Sequence, residues 1–382
     1  MTTSLPYEEH SKELSANQSQ PAMALTTPSR KRDHVELCVN DDVRFRAKTT
    51  GFERVQLEHN ALPECNVSEI DTRTLFFGIP LAMPLMISSM TGGYDEAERI
   101  NRELAELCAQ NGLAMGVGSQ RQALEDDTHH ASFRVVRASA PHSFITANIG
   151  APEIAKRSTR ESIHRIVDLI SANALTIHLN PLQELLQMGG NPDFVGVLTG
   201  IEECVQYLQI PILVKEVGSG ISRSVAERLI DVGVQGIDVA GAGGTSWAGV
   251  ELLRSQLLSG GKSHLEPLWD WGIPTVECLR ALAPLKYNAD DDAMIDGMYA
   301  QPPRYTLIAS GGITSGFDIA KAIALGADLT ASARPLIKTL LDAGQKEADT
   351  MIRHWHDQLR ACMFLTGARN ISSLQNVPYI LQ

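Results

Sequence analysis

The sequence predicts an α/β domain built as a closed (β/α)8 barrel, with an N-terminal extension and an insertion between strands six and seven. From Pro80 onward, short apolar runs alternate with amphipathic helical patterns, which is typical of repeated βα units. The strand candidates number eight and are almost continuously apolar, as expected for parallel strands that are buried on both faces. A length of 382 residues fits one barrel with additions.

The predicted elements follow one another without an internal repeat other than the βα unit. The strand candidates are Leu85–Ser88, Leu113–Val117, Phe144–Asn148, Leu175–Leu179, Ile212–Lys215, Gly236–Ala240, Thr306–Ser310 and Asp328–Ala331. The amphipathic helix candidates between them are Glu98–Ala109, Thr159–Ile170, Ile201–Leu208, Ser222–Val232 and Phe317–Leu325, and an eighth helix is expected after Arg334-Pro335.

Two segments lie outside the repeat. Residues 1–29 are polar, lack apolar periodicity and are predicted to be a disordered tail, so that residues 30–382 form the single domain. The stretch from Ala248 to Pro303 is too long for a simple βα unit and contains the acidic run Asp290–Asp292. We interpret it as a helix plus a loop that could act as a lid.

Composition excludes several classes of function. A formal net charge of −12 argues against general nucleic-acid binding, although a local cluster of cations can still bind a small anion. No run of about 18 apolar residues predicts a membrane span, and the N-terminus lacks the apolar core of a signal peptide. Six cysteines lie far apart without metal-type spacing, which favours a reduced, cytoplasmic protein.

Polar and glycine residues accumulate where the predicted strands end, which is the end of such barrels that carries the active site. These strand ends read Ser88-Ser89-Met90-Thr91-Gly92-Gly93, Gly118-Ser119-Gln120-Arg121, Ala147-Asn148-Ile149-Gly150, His178-Leu179-Asn180-Pro181-Leu182-Gln183-Glu184, Lys215-Glu216, Gly243-Gly244-Thr245-Ser246 and Ser310-Gly311-Gly312-Ile313. Because short turns alone do not require Arg, Gln, Asn, His, Glu and Lys at these places, the pattern predicts a ligand site.

The glycines after strand seven and the residues after strand eight suggest a phosphate cradle. Gly311-Gly312-Ile313 and Ala333-Arg334 stand where barrels often bind phosphate through backbone N–H groups and a helix N-terminus. Turn glycines without a ligand are the alternative interpretation. Lys215 ends an apolar strand and is expected to point into the site, where its charge would stabilise an anionic group; a surface lysine is the alternative.

The segment from His178 to Glu184 is the most informative one. Pro181 breaks the strand, so the residues after it form a loop at the barrel mouth. Glu184 has no acidic neighbour in sequence, which suits Mg²⁺ held by one carboxylate, water and phosphate oxygens. A helix-start glutamate and a buried, hydrogen-bonded histidine are the alternatives for Glu184 and His178. The run Arg30-Lys31-Arg32 is either solvated or closes over an anionic ligand.

Taken together, these segments resemble the type 2 isopentenyl-diphosphate isomerases from about residue 30 to about residue 340. The matching segments are Arg30-Lys31-x-x-His34, Ser89-Met90-Thr91-Gly92-Gly93, Gly118-Ser119-Gln120-Arg121, Ala147-Asn148-Ile149-Gly150, His178-x-Asn180-x-x-Gln183-Glu184, Val214-Lys215-Glu216-Val217-Gly218, Gly243-Gly244-Thr245-Ser246-Trp247, Trp271-Gly272-Ile273-Pro274-Thr275 and Ser310-Gly311-Gly312-Ile313. The pairing of HxNxxQE with GSQR is the most specific part, whereas SGG is shared widely among FMN barrels.

The resemblance implies an FMN enzyme that interconverts isopentenyl and dimethylallyl diphosphate in isoprenoid biosynthesis, with Mg²⁺, with NADPH or NADH as the reductant of the flavin, and as a homotetramer or homo-octamer. It implies FMN contacts from Ser89, Met90, Thr91, Ser119, Asn148, Lys215, Thr245, Gly311, Gly312, Ile313, Ala333 and Arg334. It implies substrate contacts from Arg30, Lys31, His34, Ser119, Gln120, Arg121, His178, Asn180 and Gln183, and a Mg²⁺ contact from Glu184.

The resemblance leaves open which group moves the proton. Gln183 and His178 are the catalytic candidates, but an amide is a very weak acid and base. His178 has a suitable ordinary pKa, yet the resemblance assigns its segment to the polar end of the substrate. The hypothesis is therefore that reduced FMN exchanges the proton at N5, with Lys215 favouring its anionic form and Gln183 orienting or relaying.

Two other functions remain as alternatives. An FMN-dependent 2-hydroxy-acid oxidase or dehydrogenase shares the barrel and the strand-seven glycines, but the sequence has no segment like SNHGxRQ to supply its histidine base and arginine. A flavin- or nucleotide-binding barrel without catalysis is the third possibility, which the polar crowding at the strand ends disfavours.

Overall fold

The computed structural model describes residues 26–156, 159–287, 294–295, 298–299 and 302–382. Its centre is a closed barrel of eight parallel strands, so the predicted fold class is confirmed. The barrel strands are β1 Leu85–Ile87, β2 Ala114–Gly116, β3 Ile145–Gly150, β4 Ala174–Leu179, β5 Ile212–Glu216, β6 Gly236–Asp238, β7 Thr306–Ala309 and β8 Leu329–Ser332. All eight lie within two residues of the predicted bounds.

The barrel closes where β8 pairs with β1, with Ala331 opposite Met86. Alternate residues point inward, and Met86, Leu213 and Ile308 belong to one buried cluster within the barrel. The N-terminal end is filled by Phe144, whose ring lies 4.5 Å from that of Phe76. Because this end is packed with apolar side chains, ligands can enter only from the opposite, carboxyl end of the strands.

Helices surround the barrel and cover its mouth. They are α1 Thr27–Asn40, α2 Ala97–Gln110, α3 Arg121–Glu125, α4 Ala131–Ser139, α5 Ala151–Lys156, α6 Arg160–Leu169, α7 Pro181–Leu186, α8 Val197–Tyr207, α9 Arg223–Asp231, α10 Trp247–Ser259, α11 Thr275–Leu282, α12 Gly316–Ala324, α13 Arg334–Ala343, α14 Gln345–Thr366 and α15 Ile371–Gln375. The five predicted amphipathic helices are α2, α6, α8, α9 and α12, and α13 is the predicted eighth helix.

Short elements complete the described chain. Antiparallel pairs join Val55–Leu57 to Tyr379–Leu381, Thr74–Phe76 to Ile79–Leu81, and Met294–Ile295 to Met298–Tyr299. Single 3-10 turns span Phe52–Arg54, Val67–Glu69, Glu266–Asp270 and Ala283–Lys286. Among the helices that the structure describes, none is both long enough and apolar enough to cross a membrane.

The described chain begins before residue 29, the predicted end of the N-terminal tail. Helix α1 begins at Thr27, because the side chain of Thr26 accepts a hydrogen bond from the Ser29 N–H and Pro28 occupies the first turn. This combination of a capping threonine and an early proline is a helix-start signal that the polar composition concealed. The disorder predicted for residues 1–25 concerns a segment outside the described residues.

The insertion between β6 and β7 is largely helical where it is described. Helix α10 packs beside α1 and α7, so it forms part of the wall of the barrel mouth. The ring of Trp269 packs against Gly249 and stacks under the guanidinium of Arg46, 3.8 Å from the ring centre. The acidic run Asp290–Asp292 lies outside the described residues.

Candidate active site

Two adjoining cavities open at the carboxyl end of the barrel. The larger has a volume of about 1180 Å³ and is bounded by the residues that follow β1, β5, β6, β7 and β8, together with residues from the 42–53 segment. The smaller, of about 130 Å³, lies between the ends of β1 to β5 and helices α1 and α7. Ser89, Met90 and Lys215 line both, so the two cavities share a wall.

The predicted FMN contacts divide between these cavities. Nine line the larger one: Ser89, Met90, Lys215, Thr245, Gly311, Gly312, Ile313, Ala333 and Arg334. The other three, Thr91, Ser119 and Asn148, line the smaller one. The structure therefore brings all twelve residues to one continuous site at the barrel mouth.

Glycines after β6 and β7 create the backbone cradle in the larger cavity. Gly311 and Gly312 adopt φ values of +94° and +86°, which L side chains rarely adopt. A Cβ atom at Gly244 would lie 2.5 Å from the Gly312 nitrogen. Only glycine permits this approach of two chain segments, so the cradle fits a phosphate bound by backbone N–H groups.

Helix α13 supplies the second side of the cradle. No side chain caps its first turn, which begins at Arg334 directly after β8. The Arg334 guanidinium donates from Nε to the Cys38 carbonyl at 2.7 Å and from Nη2 to the Asp41 carbonyl at 2.9 Å. Since a guanidinium carries five N–H groups, Arg334 retains donors for a phosphate while α1 holds it in place.

Lys215 stands at the wall between the cavities. It is buried, faces the barrel interior from β5, and donates from Nζ to the carbonyl of Glu216 at 2.6 Å. The Glu216 carboxylate accepts the N–H groups of Val217 and Gly218 at 2.6 Å each, so the chain after β5 is held rigidly. Burial raises the pKa of Glu216 to about 7. A cation fixed here can stabilise negative charge in either cavity.

Helix α1 brings cations to the smaller cavity. Lys31 donates from Nζ to the Gly92 carbonyl at 2.7 Å and to the Ser119 carbonyl at 2.5 Å. Burial, and then the neighbouring charges of Arg30 and Arg121, lower the pKa of Lys31 to about 7. Burial and Arg121 also lower the pKa of Arg30. Cations that repel one another in this way form a site suited to a polyanion.

Arg121 begins α3 and faces the same cavity. Its guanidinium lies 3.3 Å from Glu153 and 3.4 Å from Glu125, so its orientation is fixed by two carboxylates. Gln120, the residue before it, does not line the cavity. Its fully buried amide donates to the Ile166 carbonyl at 2.8 Å and accepts the Asn148 N–H at 3.0 Å. Both polar atoms of the Gln120 side chain are therefore bonded to backbone groups, and its role as a substrate contact stays a prediction.

His178 is the second-last residue of β4, and its side chain lies beside Asn148. Its Nδ1–H donates to the Asn148 side-chain oxygen at 2.7 Å, and the Asn148 amide donates to the Ser89 hydroxyl at 2.8 Å. Burial, followed by the charges of Lys215 and Lys31, lowers the pKa of His178 to about 3. In the free protein the imidazole is therefore neutral at pH 7, and it lacks the ordinary pKa on which its acid–base candidacy rested.

Gln183 is held by a buried carboxylate that the sequence did not point to. Its amide nitrogen donates to Glu251 of α10 at 3.0 Å, and its oxygen accepts from Asn180 at 3.2 Å. The Glu251 carboxylate also lies 2.9 Å from His34 Nε2. These contacts fix which end of the Gln183 amide faces each neighbour. The side-chain oxygen of Asn180 is buried without a hydrogen-bond partner, as expected where a ligand supplies one.

Glu184 points into the same cavity from the first turn of α7. One carboxylate oxygen accepts from the Asn180 amide at 3.1 Å, and the other accepts the Asn191 N–H at 2.6 Å. Among the described residues no group of three His, Cys, Asp or Glu side chains has the arrangement of a metal site. A carboxylate retains lone pairs beyond two such bonds, so Glu184 fits a Mg²⁺ whose other ligands are water and phosphate oxygens.

Two carboxylates that contact predicted site residues were not predicted from the sequence. Glu153 lines the smaller cavity from α5 and pairs with Arg121, and Glu251 organises Gln183 and His34 from α10. The signal for Glu251 was present, because Glu251 and Arg254 are charged residues within an otherwise largely apolar helix. Such a charged pair is normally buried only where partners satisfy it.

Comparison with known proteins decides the family. A family profile described as FMN-dependent dehydrogenase matches residues 24–145 and 197–379. An isopentenyl-diphosphate delta-isomerase of Chlorobium luteolum is 49% identical over 92% of this chain and 95% of its own length. Enzymes of the same name from Pelodictyon phaeoclathratiforme and Vibrio campbellii are 47% and 41% identical, over 92% and 91% of this chain and 96% and 97% of theirs.

The chain belongs to the FMN-dependent isopentenyl-diphosphate delta-isomerase family, type 2. Solved structures support the fold of this isomerase family member. A flavocytochrome b2 variant with sulfite bound has a TM-score of 0.64 at 17% identity, over 90% of this chain and 81% of its own. A mandelate oxidase variant with (S)-mandelic acid has a TM-score of 0.60 at 17% identity, over 93% and 95%. At such identities the likeness extends to the barrel and no further.

Proposed function

We propose that this isomerase family member interconverts isopentenyl diphosphate and dimethylallyl diphosphate, with FMN in the larger cavity and the diphosphate substrate in the smaller one. The observation that carries the proposal is the wall shared by the two cavities. Ser89, Met90 and Lys215 border both, so a flavin on one side would lie directly against a substrate on the other. Such contact is the arrangement that a flavin-dependent reaction requires.

The cations of the smaller cavity would bind the diphosphate. Arg30, Lys31 and Arg121 converge there from α1 and α3. Neutral His178 has its Nδ1–H committed to Asn148, so its Nε2 is left to accept a hydrogen bond. Glu184 would hold Mg²⁺ against the diphosphate oxygens. The family members named as isomerases act on a substrate of this charge, which supports the assignment.

The proton transfers require a group near the reacting carbons of an unactivated double bond. Gln183 cannot ionise at neutral pH, and its fixed amide is suited to orient the substrate or relay a proton. Reduced FMN, when bound, would supply the acid–base chemistry at N5. Lys215 would stabilise the negative charge of the reduced flavin in the larger cavity. The buried strand ends would exclude water from the reacting carbons.

The proposed enzyme also uses NADPH to reduce the flavin, functions in the cytoplasm and assembles as a homotetramer or homo-octamer. Free cysteines among the described residues agree with a reducing compartment. Leu185, Val195 and Trp271 are more than half exposed, which agrees with association through apolar contacts. Static light scattering measures the oligomer size directly.

The deciding experiment combines FMN-loaded protein, Mg²⁺ and isopentenyl diphosphate, with and without NADPH. We expect dimethylallyl diphosphate to form only after reduction, in large molar excess over the NADPH consumed, and no activity with 5-deaza-FMN. Stoichiometric consumption of oxygen or of a dye with a 2-hydroxy acid would instead establish the oxidase alternative. Full activity with the 5-deaza analogue would rule out proton transfer at N5.

Replacing Arg121 with alanine is expected to raise the KM for the diphosphate substrate roughly tenfold or more, because a charge-assisted contact is worth about 1.5–3 kcal/mol. Steady-state kinetics on reduced enzyme measures the change. Arg223→Ala, which removes an exposed cation on α9, is the control and should leave KM unchanged. A normal KM for Arg121→Ala would show that the diphosphate binds elsewhere.

Replacing Glu184 with glutamine should weaken activation by Mg²⁺ by about tenfold in the concentration required, since the metal loses its charged protein ligand. The flavin spectrum should stay unchanged, because Glu184 lines only the smaller cavity. Titration of activity with MgCl₂ provides the measurement. A wild-type Mg²⁺ dependence would mean that Glu184 serves only to hold Asn180 and Asn191.

The lowered pKa of Lys31 predicts a pH dependence. Below about pH 7 the ammonium is already charged, whereas above it diphosphate binding must first add a proton to Lys31. The kcat/KM should therefore fall as the pH rises above about 7, approaching about tenfold per pH unit. Lys31→Arg keeps the charge at every pH and should flatten this limb of the profile. A profile that stays the same in Lys31→Arg would assign the pH dependence to another group.

A further inference from the structure

The cations on α1 can serve the diphosphate only if that helix keeps one register across the barrel mouth. Successive residues of an α-helix are rotated by about 100°, so a slip of one residue turns Arg30 away from the smaller cavity. Lys31 is anchored by the Gly92 and Ser119 carbonyls, but its flexible four-carbon side chain can keep these bonds while the helix rotates slightly. Another contact must therefore select the register.

A buried ion pair joins α1 to α10. Arg254 Nε donates to Asp33 Oδ2 at 2.8 Å, and the exposed fractions of the two residues are 1% and 5%. One turn earlier on α10, the Glu251 carboxylate lies 2.9 Å from His34 Nε2. The two contacts involve adjacent residues of α1 and residues three apart on α10, so together they fix both the rotation of α1 and its position along α10.

Helical spacing connects this pair to the diphosphate site. Arg30 lies three residues before Asp33 and four before His34, so all three side chains lie on the same face of α1. Any rotation that breaks the pair with Arg254 also removes Arg30 from the cavity. Of the other polar anchors of α1, those from Thr27 to Glu125 and from Arg32 to Glu96 are exposed and add little. Those from Arg334 and Lys338 hold only the C-terminal end of the helix.

We propose that Asp33 and Arg254 are a positioning pair, which sets the register of α1 and thereby places Arg30 and Lys31 for the diphosphate. The inference rests on the proposed function for the identity of the ligand. Neither residue lines the smaller cavity, so their effect on the ligand is indirect. A buried ion pair often adds little stability relative to an apolar pair of similar size, whereas its directionality can specify one arrangement.

The double variant Asp33→Leu/Arg254→Met separates positioning from stability, because an apolar pair restores packing but imposes no direction. The charge-swapped variant Asp33→Arg/Arg254→Asp keeps an ion pair between the same helices. Asp33→Asn removes one charge alone. Arg99→Met, which breaks an exposed pair within α2, is the control. FMN content and circular dichroism identify any variant that has not folded.

The probe is inorganic diphosphate, whose binding to the FMN-loaded chain is measured by calorimetry, followed by kinetics with isopentenyl diphosphate. We expect the apolar pair to melt within a few degrees of wild type, yet to bind diphosphate roughly tenfold more weakly. Its KM should rise by a similar factor, while kcat at saturation changes less than about twofold. Amide exchange across residues 27–40 should be faster. The charge-swapped variant should recover at least half of the lost affinity on a logarithmic scale, and Arg99→Met should match wild type.

The proposal is overturned if the folded variant Asp33→Leu/Arg254→Met binds diphosphate with wild-type affinity and exchanges its α1 amides at the wild-type rate. If the apolar pair fails to fold, the charge-swapped variant and Asp33→Asn decide by the same two measurements. Wild-type protein that binds diphosphate tightly but isomerises nothing would refute the proposed function and leave this inference standing. Wild-type protein that does not bind diphosphate would refute both.

Discussion

Replacing Lys215 with methionine is expected to lower the midpoint potential of bound FMN and to reduce the isomerisation rate about 10²-fold or more. The ammonium is buried at the wall between the cavities, where its charge is poorly screened. Its loss removes the stabilisation of an anionic reduced flavin, so the oxidised form becomes relatively more stable. A shift of about 30 mV in a two-electron couple corresponds to about 1.4 kcal/mol, and we expect a change of this order toward more negative potential.

Reductive titration against a reference dye measures the potential, and kinetics on dithionite-reduced enzyme measures the rate independently of NADPH. Lys346→Met, which removes an exposed lysine on α14, is the matched control and should change neither value. If Lys215→Met keeps the wild-type potential but loses activity, the lysine acts on the substrate side of the wall. An unchanged potential and rate would leave Lys215 with a structural role alone.

The barrel was predictable because its signal is local and repeated. Each strand is a short apolar run of the kind buried on both faces of a parallel sheet, and the strand bounds followed directly from these runs. The ends of the helices were harder to predict than those of the strands. Helix α8 begins at Val197, four residues before the predicted start. The predicted helix started after Gly200, which in the structure lies inside the helix. A Cβ there would lie 2.7 Å from the Ile154 side chain, so close packing against α5, rather than a helix break, explains this glycine.

The residues of the site were largely predictable because they occupy the ends of strands. Ser89, Asn148, His178 and Lys215 follow from strand position alone once the barrel is accepted. The convergence of α1 on the same mouth could not be derived in this way. Arg30 and Lys31 lie far from the strands in sequence, and the charge run alone left open whether they are solvated or close over an anionic ligand. The family resemblance favoured the second interpretation.

The sequence alone did not show the contacts that determine the orientation and the ionisation state of each side chain. The Gln120 side chain hydrogen-bonds to backbone groups, whereas its neighbours Ser119 and Arg121 line the smaller cavity. His178 loses its ordinary pKa because it is buried beside two lysines that come from β5 and α1. Such effects depend on neighbours distant in sequence. The ionisation states of a site are therefore properties of the fold, even where its residues can be recognised from motifs.

Replacing Gln183 with alanine is expected to lower kcat about 10²-fold or more, because a positioned group that assists proton transfer typically contributes at least this factor. The amide is held between Glu251 and Asn180, so it presents one fixed orientation to the reacting end of the substrate. KM should change much less, since the diphosphate is bound by Arg30, Lys31 and Arg121.

His178→Ala provides the contrasting measurement. His178 is neutral in the free protein and is assigned to the polar end of the substrate, so its loss should raise KM more than it lowers kcat. Both variants should retain FMN, because neither residue lines the larger cavity. The reverse pattern, in which His178→Ala abolishes kcat and Gln183→Ala affects only KM, would transfer the proton-handling role to the imidazole. It would also require diphosphate binding to raise the pKa of His178 from about 3 into the range where an acid or base operates at neutral pH.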